Sequence, residues 1–224
     1  MVLKAEGVSK QFLRETKGTN IFMAVKETDF ELPEGMLTVL TGRSGSGKST
    51  FLNILSGLLE PTAGKVLIGD KELYQLDDTE RSRLRNRLFG FIPQGQSAIH
   101  SLNVLENVLL PLTLYGEGEA DQEYAYELLE LMGIAELAGS MPSELSGGEL
   151  RRMAIARALV GKPEVVFADE PTGDLDDENT EIVLKLLKQT AERGTAVLLV
   201  THENDALAYA DAIYRMSGGV LEKV

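Results

Sequence analysis

Two apolar runs set the frame. EVVFADEP (164–171) and TAVLLVTH (195–202) are almost continuously hydrophobic and then end in polar residues. Strands buried on both faces of a parallel sheet carry this pattern, whereas half-exposed strands alternate. MLTVLTG (36–42) is a third such run and FGFIPQ (89–94) a shorter one that enters a loop. The N-terminal segments VLKAEGVSKQF and FMAVKETDFEL alternate, with turn chemistry in RETKGTN (14–20) between them, so an antiparallel pair is expected there. PTAGKVLIGD reads as a turn and short strand, and YRMSGGVLEKV as a closing hairpin.

Helical spacing appears in STFLNILSGLL and DENTEIVLKLLKQTAERG. DDTERSRLRNRL predicts a charged helix capped by Asp78 or Thr79. Residues 102–138 have a helical pattern that breaks near Pro111 and at GEGEAD, and another helix begins at ELSGGEL. The central helical block interrupts an alternation of strand and helix that resumes after it. An insertion within one α/β core is therefore expected rather than two independent domains, with 1–93 and 155–224 forming the core and 94–154 the inserted helices.

The strand–loop–helix around 36–59 contains Gly42-Arg43-Ser44-Gly45-Ser46-Gly47-Lys48-Ser49-Thr50, which fits G-x-x-x-x-G-K-[ST] in the context that this motif requires. Its glycines let successive backbone N–H groups curl around phosphate oxygens. Lys48 can reach the outer phosphates, and the Ser49 hydroxyl can hold Mg²⁺. Asp169 ends an apolar strand, where α/β sheets place ligands, and can serve the same ion. Glu170, next along, can polarise a water for attack on a γ-phosphate. Gln94 enters a loop where its amide can touch metal or water, although alone it is an ordinary loop residue. His202 ends the last apolar strand, where a neutral imidazole can bond a γ-phosphate, although a lone strand-end histidine is more often structural.

Ser146-Gly147-Gly148 opens a helix. It offers donors and a helix dipole to an anion, but no lysine to complete a phosphate site. Glu149 falls in the first turn, where an acid suits the dipole, and S-x-x-E is the capping-box spacing.

GRSGSGKST, Gln94, LSGGE, VVFADE, Thr172-Gly173-Asp174-Leu175-Asp176 and Thr201-His202 occur in the order and rough spacing of the ATPase subunits of ATP-binding-cassette transporters. The chain resembles that family over essentially its whole length. The resemblance implies a P-loop NTPase core with a mostly parallel sheet, an N-terminal antiparallel β subdomain and an inserted α-helical subdomain. It implies ATP and Mg²⁺ as cofactors. Lys48 and the loop 42–50 would bind phosphate, Ser49, Gln94 and Asp169 would attend Mg²⁺, Glu170 would be the base, and His202 would contact the γ-phosphate. Asp176 would touch a second subunit, and an aromatic of the first strand would stack on adenine, with Phe12 the candidate and Phe22 or plain core packing the alternatives. In the family two cassettes pack head to tail, so Ser146, Gly147 and Gly148 of one would complete the ATP site of the other. The usual fifth signature residue is Gln, and here it is Glu149.

FGFIPQ, ENVLLPL, LSGGE and ADEPTGDLD resemble a bacterial subgroup that serves lipoprotein release, macrolide export, antimicrobial-peptide resistance and cell division. That implies a permease partner with a large extracytoplasmic domain, docked near Gln94–Leu112, and a cytoplasmic location on the inner membrane face. The runner-up is an ATP-switched regulatory subunit of a cell-division-type complex that transports nothing.

Composition narrows the alternatives. The 224 residues are 43% hydrophobic and 25% charged, suited to one α/β domain. The absence of cysteine excludes disulfides and thiolate metal sites. No apolar run approaches the roughly 20 residues that span a bilayer, and the start lacks a signal-peptide core, so a soluble chain is expected. A net charge of −13 argues against nucleic acid as a partner. Between Arg87 and Arg151 lie ten Asp and Glu and no Lys or Arg, which reads as a solvated acidic face or as a surface for a basic protein.

Overall fold

The computed structural model describes residues 3–13, 21–95, 97–115, 121–173 and 175–224. The expected turn at 14–20, most of GEGEAD, and Asp174 lie outside these.

Two sheets form the frame. The first runs β2 (Ile21–Leu32), β1 (Leu3–Leu13), β4 (Ala63–Ile68) and β5 (Lys71–Glu72), antiparallel throughout. The second runs β10 (Val220–Lys223), β9 (Ala212–Ser217), β3 (Leu37–Thr41), β8 (Ala196–Thr201), β7 (Val165–Asp169) and β6 (Phe89–Ile92). It is parallel except for the β9–β10 hairpin at its edge.

The apolar runs behave as their pattern requires. Along β8, Ala196, Leu198 and Val200 enter the core shared with the antiparallel sheet and helix α1 (Lys48–Leu55). Val197 and Leu199 enter the opposite core, under helices α3 (Val104–Thr113), α4 (Gln122–Leu131), α5 (Gly147–Leu159) and α6 (Asp177–Glu192). β7 divides the same way, with Val165 and Phe167 on one side and Val166 and Ala168 on the other. Period-two alternation with apolar residues at every position makes each strand hydrophobic on both faces. The helices α3, α4 and α5 all fall between β6 and β7, which are parallel neighbours, so the inserted block leaves and re-enters the sheet without displacing a strand.

Two local expectations are corrected. Helix α2 (Asp78–Leu88) is capped by Asp77, one residue before either candidate: its carboxylate accepts from the Glu80 N–H at 2.8 Å, while the Glu80 carboxylate accepts from the Asp77 N–H. The apparent choice of Asp78 or Thr79 arose because three polar capping types stand in a row, and only the side chain three before Glu80 closes the reciprocal box. Pro111 does not break α3; the helix continues to Thr113. Proline this near a helix end removes a single intrahelical bond, and its own carbonyl accepts from the Asn86 side chain at 2.9 Å.

Asn107 pins the loop that precedes α3. It is fully buried. Its Oδ1 accepts from the Ile99 N–H at 2.8 Å, and its Nδ2 lies within bonding distance of the carbonyls of Ile99, Leu102 and Asn103. Asn107→Leu keeps the volume but removes the acceptor of the Ile99 N–H and the donor to the Leu102 carbonyl, while the Ile99 and Asn103 carbonyls keep backbone partners. The expected loss is about 1–3 kcal/mol of unfolding free energy, read by urea denaturation; an unchanged midpoint would contradict the role.

Candidate active site

Strands β3, β7 and β8 all deliver their C-terminal ends to one edge of the parallel sheet, and the functional side chains follow from there. The loop 42–47 leaves β3 and turns into α1. Glycine is required at two of its positions by geometry: at Gly47, with φ 109°, a Cβ would collide with the Ala24 carbonyl oxygen, and at Gly42 with that of Met216. The loop is thus wedged between β2 and β9 and leaves its outer rim, residues 43–45, exposed. Among the described residues the other α-helices begin with a side chain that caps the first turn, namely Asp77, Asn103, Asp121, Ser146 and Asp176, whereas Gly47 supplies none to α1. The first-turn N–H groups of α1 are therefore left to an outside acceptor.

Lys48 is buried, and its Nζ donates to the carbonyls of Gly42 at 2.8 Å and Arg43 at 3.4 Å. The ammonium is folded back inside the loop, beside the place that phosphates would take. Residues 43–50, Gln94, Glu170 and His202, with Phe22 and Ala24 of β2, line a cavity of about 610 Å³. Gly42 lines a neighbouring cavity that shares residues 43–46 and His202.

Asp169 lies beneath this floor. Burial raises its carboxyl above the ordinary value, opposed by a hydrogen bond from the Ser49 hydroxyl and by the charges of Lys48 and Arg151. Its Oδ1 is buried with no hydrogen-bond partner, as is the Ser46 hydroxyl. An orphaned carboxylate oxygen next to a serine hydroxyl is a place where a small hard cation fits. Among the described residues no group of three His, Cys, Asp or Glu stands close enough together to hold a metal ion.

Glu170 has φ 49°, a left-handed backbone that a non-glycine residue adopts at a cost, and its N–H donates to the Val200 carbonyl at 2.8 Å. The turn aims its carboxylate at β8, where Oε2 lies 2.9 Å from His202 Nδ1 and accepts weakly from the His202 N–H at 3.4 Å. The hydrogen bond and charge of Glu170 raise the His202 pKa above its ordinary value of 6.5.

Not every predicted residue joins the cavity. Ser146 and Gly147 are solvent-exposed, and Ser146–Gly148 do not line it. The capping box is present: Ser146 Oγ accepts from the Glu149 N–H at 3.3 Å, and the Glu149 carboxylate accepts from the Ser146 N–H and hydroxyl, each at 2.7 Å. Those two bonds hold the Glu149 carboxyl below its usual value. Asp176 caps α6 and accepts from the Asn179 N–H and side-chain amide at 2.8 Å. Phe12 and Phe22 are directly paired across β1 and β2, so their rings share a sheet face; Phe22 lines the cavity, while Phe12 is 38% exposed with Lys10 Nζ 5.5 Å from its ring centre. Arg151, whose charge reaches Asp169, was missed because RRMAIAR reads as a solvated charged face; the alanines at 154, 156 and 158 are the available hint that this helix packs closely on its surroundings.

The profile of the family described as ABC transporter matches residues 25–173. The chain belongs to the ABC transporter family. It is an ATP-binding, ATP-hydrolysing subunit of that family, as its phosphate loop and the ordered set of polar strand ends require. The cassette is 39% identical over its whole length to the lipoprotein-releasing system ATP-binding protein LolD of Shewanella sp. (strain MR-4), covering 96% of that protein. It is 40% identical to the protein of the same name from Hydrogenovibrio crunogenus, over 98% of this chain and 95% of the relative. Its fold matches a dimeric ATP-binding cassette in a post-hydrolysis state, bound to ADP and Pi, with a TM-score of 0.90 and 35% identity, covering 99% of this chain and 98% of that one. No described helix is long and apolar enough to cross a membrane.

The Glu170–His202 contact has a pH signature. Glu170 favours the protonated ring, so the contact adds stability that is fully present below the unfolded-state histidine pKa and is lost as pH rises through the folded-state value. An NMR titration of the His202 ring should give a midpoint above 6.5 that falls in Glu170→Gln; the same midpoint in both proteins would refute the pairing.

Proposed function

We propose that this cassette is the motor of a bacterial lipoprotein-release or efflux system, closing as a head-to-tail dimer around two ATP molecules to drive a separate permease. The single observation that carries the reading is the split site: a cavity holding the phosphate loop, Glu170 and His202, and a signature helix start that faces solvent outside it. Two such half-sites complement each other when two copies meet. The fold's likeness to a dimeric cassette and its identity to proteins named for lipoprotein release support this reading over the regulatory alternative.

The residues then divide the work. The loop 42–50 and the first-turn N–H groups of α1 hold the β- and γ-phosphates, and Lys48 turns from the loop carbonyls to them. Ser49, Asp169 and Gln94 would hold Mg²⁺, which when bound neutralises phosphate charge. Glu170 orients and deprotonates the attacking water. It is available for this after His202 releases it, and His202 then turns its ring toward the γ-phosphate. In the free subunit the Ser146 hydroxyl donates to Glu149; dimer closure redirects it, with the N–H groups of Gly147 and Gly148, to the partner's ATP. Asp176 meets the partner across the same seam. Phe12, paired across the strands with Phe22 of the cavity lining, stacks on adenine.

The permease side is supported by a groove of about 370 Å³ lined by Arg85, Arg87, Phe89, Phe91, Pro111 and Tyr115 among others. An apolar floor ringed by arginines suits an amphipathic helix with acidic flanks, presented at the inner face of the cell membrane by a permease with a large extracytoplasmic domain. The inserted helices 94–154 supply one wall of this groove and the signature of the ATP sandwich.

Glu170→Gln should lower the ATPase kcat by about 10²–10⁴-fold while ATP binding persists, and size exclusion with ATP and Mg²⁺ should show an accumulated dimer. Turnover like wild type would remove Glu170 from the mechanism.

A further inference from the structure

Of the three arginines of helix α5, Arg152 bonds Asn179 of α6, while Arg151 and Arg157 are drawn inward toward the loop before α3. Arg151 is 5% exposed, and its Nη1 donates to the carbonyl of Pro93, the residue directly before Gln94. Arg157 donates from Nη1 to the Ser97 carbonyl at 2.8 Å and from Nη2 to the Ser97 hydroxyl. The loop that presents Gln94 is thus bonded to α5 on both sides of that residue.

Burying a guanidinium costs free energy unless its donors are used. A guanidinium presents five N–H donors in a fixed planar fork, more than the three of Lys or the two of Gln, so it can meet a backbone carbonyl and still serve partners in other directions. The stretch that Arg151 and Arg157 hold has no place in the regular ladders of the sheet: β6 ends at Ile92 and α3 begins at Val104. Backbone there takes its position from whatever bonds it.

The same helix begins at Ser146, and Arg151 lies within its first turn and a half. An α-helix of this length moves as a rigid rod, so a displacement of the helix start is carried to the Pro93 carbonyl. We propose that Arg151, together with Arg157, is a positioning residue that makes the location of Gln94 follow the signature helix. Engagement of Ser146 by a partner's nucleotide then sets Gln94 in this subunit's own site, so each half of the dimer senses the other. This rests on the role of Gln94 at the metal or attacking water given above.

A double-mutant cycle on the full chain tests it, with ATPase kcat as one readout and Mg²⁺-free binding of a fluorescent ATP analogue as the other. Arg151→Met should lower kcat on the order of 10- to 100-fold, as expected for a misplaced group at a reacting centre, with binding changed by less than about threefold. Gln94→Ala should lower kcat comparably. The double variant should be no slower than Gln94→Ala alone where Arg151 acts through Gln94, and Arg151→Lys, which keeps the charge that reaches Asp169, separates that second effect. Multiplied losses in the double variant would overturn the coupling while leaving the Gln94 assignment intact. Wild-type turnover in Gln94→Ala would overturn the assignment and the coupling with it. If Arg151→Met does not fold, Arg151→Lys, which retains a buried cation with a different donor geometry, runs the same cycle with the same outcomes.

Discussion

A parallel sheet buried on both faces leaves its strands one place to expose polar groups, the C-terminal edge. Thr41, Asp169 and Thr201 end β3, β7 and β8 at that edge, and the loop 42–47, Glu170 and His202 continue from them. The two cores under and over the sheet hold those strands in register, so residues more than a hundred positions apart in the chain share a cavity. The site's geometry is inherited from the packing, and little of it depends on flexible loops.

The same constraint explains why the site is incomplete. The signature helix is attached through inserted helices that pack on the other core, and its start faces water. A cap formed by Ser146 and Glu149 keeps it ordered there without a ligand. Meanwhile α1 has no cap of its own, and Asp169 keeps a buried oxygen without a partner. One subunit holds unmet donors and acceptors that nucleotide and metal can satisfy, and it also displays a second helix start, at Ser146–Gly148, that lies outside its own nucleotide cavity. In the proposed head-to-tail dimer, the free energy of engaging the Ser146 helix start is available only when two surfaces come together, which is how binding would become motion.

Much of this was legible in the sequence because it rests on local rules. The strands β7 and β8 announce themselves by continuous hydrophobicity, the phosphate loop by glycine spacing, and the Ser146 cap by S-x-x-E. What was not legible depends on distance in the chain. Arg151 and Arg157 look like surface charge until α5 is laid against the Gln94 loop. Phe12 and Phe22 are both aromatic candidates in the sequence, and strand register pairs them on one face, where Phe22 lines the cavity and Phe12 does not. Asp77, Asp78 and Thr79 are all capping types, and one side-chain hydrogen bond decides among them. Pro111 sits in a helix because its lost bond falls near the end. In each case the missing information is which backbone or side chain comes within bonding distance.

The proposed ATP site is built from the phosphate loop of one subunit and the signature of another. Subunit mixing tests it most directly. Lys48→Ala and Ser146→Arg proteins, each inactive alone, should recover measurable ATP hydrolysis when combined, because their heterodimer contains one site with an intact loop and an intact signature. The rate should stay below that of a wild-type site, since the subunit with the intact loop has an altered signature and its Gln94 is not set through α5. The recovered rate should follow the statistical fraction of heterodimer as the mixing ratio is varied. No recovery at any ratio, with heterodimers demonstrably formed, would mean that the signature serves its own subunit's loop and would contradict the account.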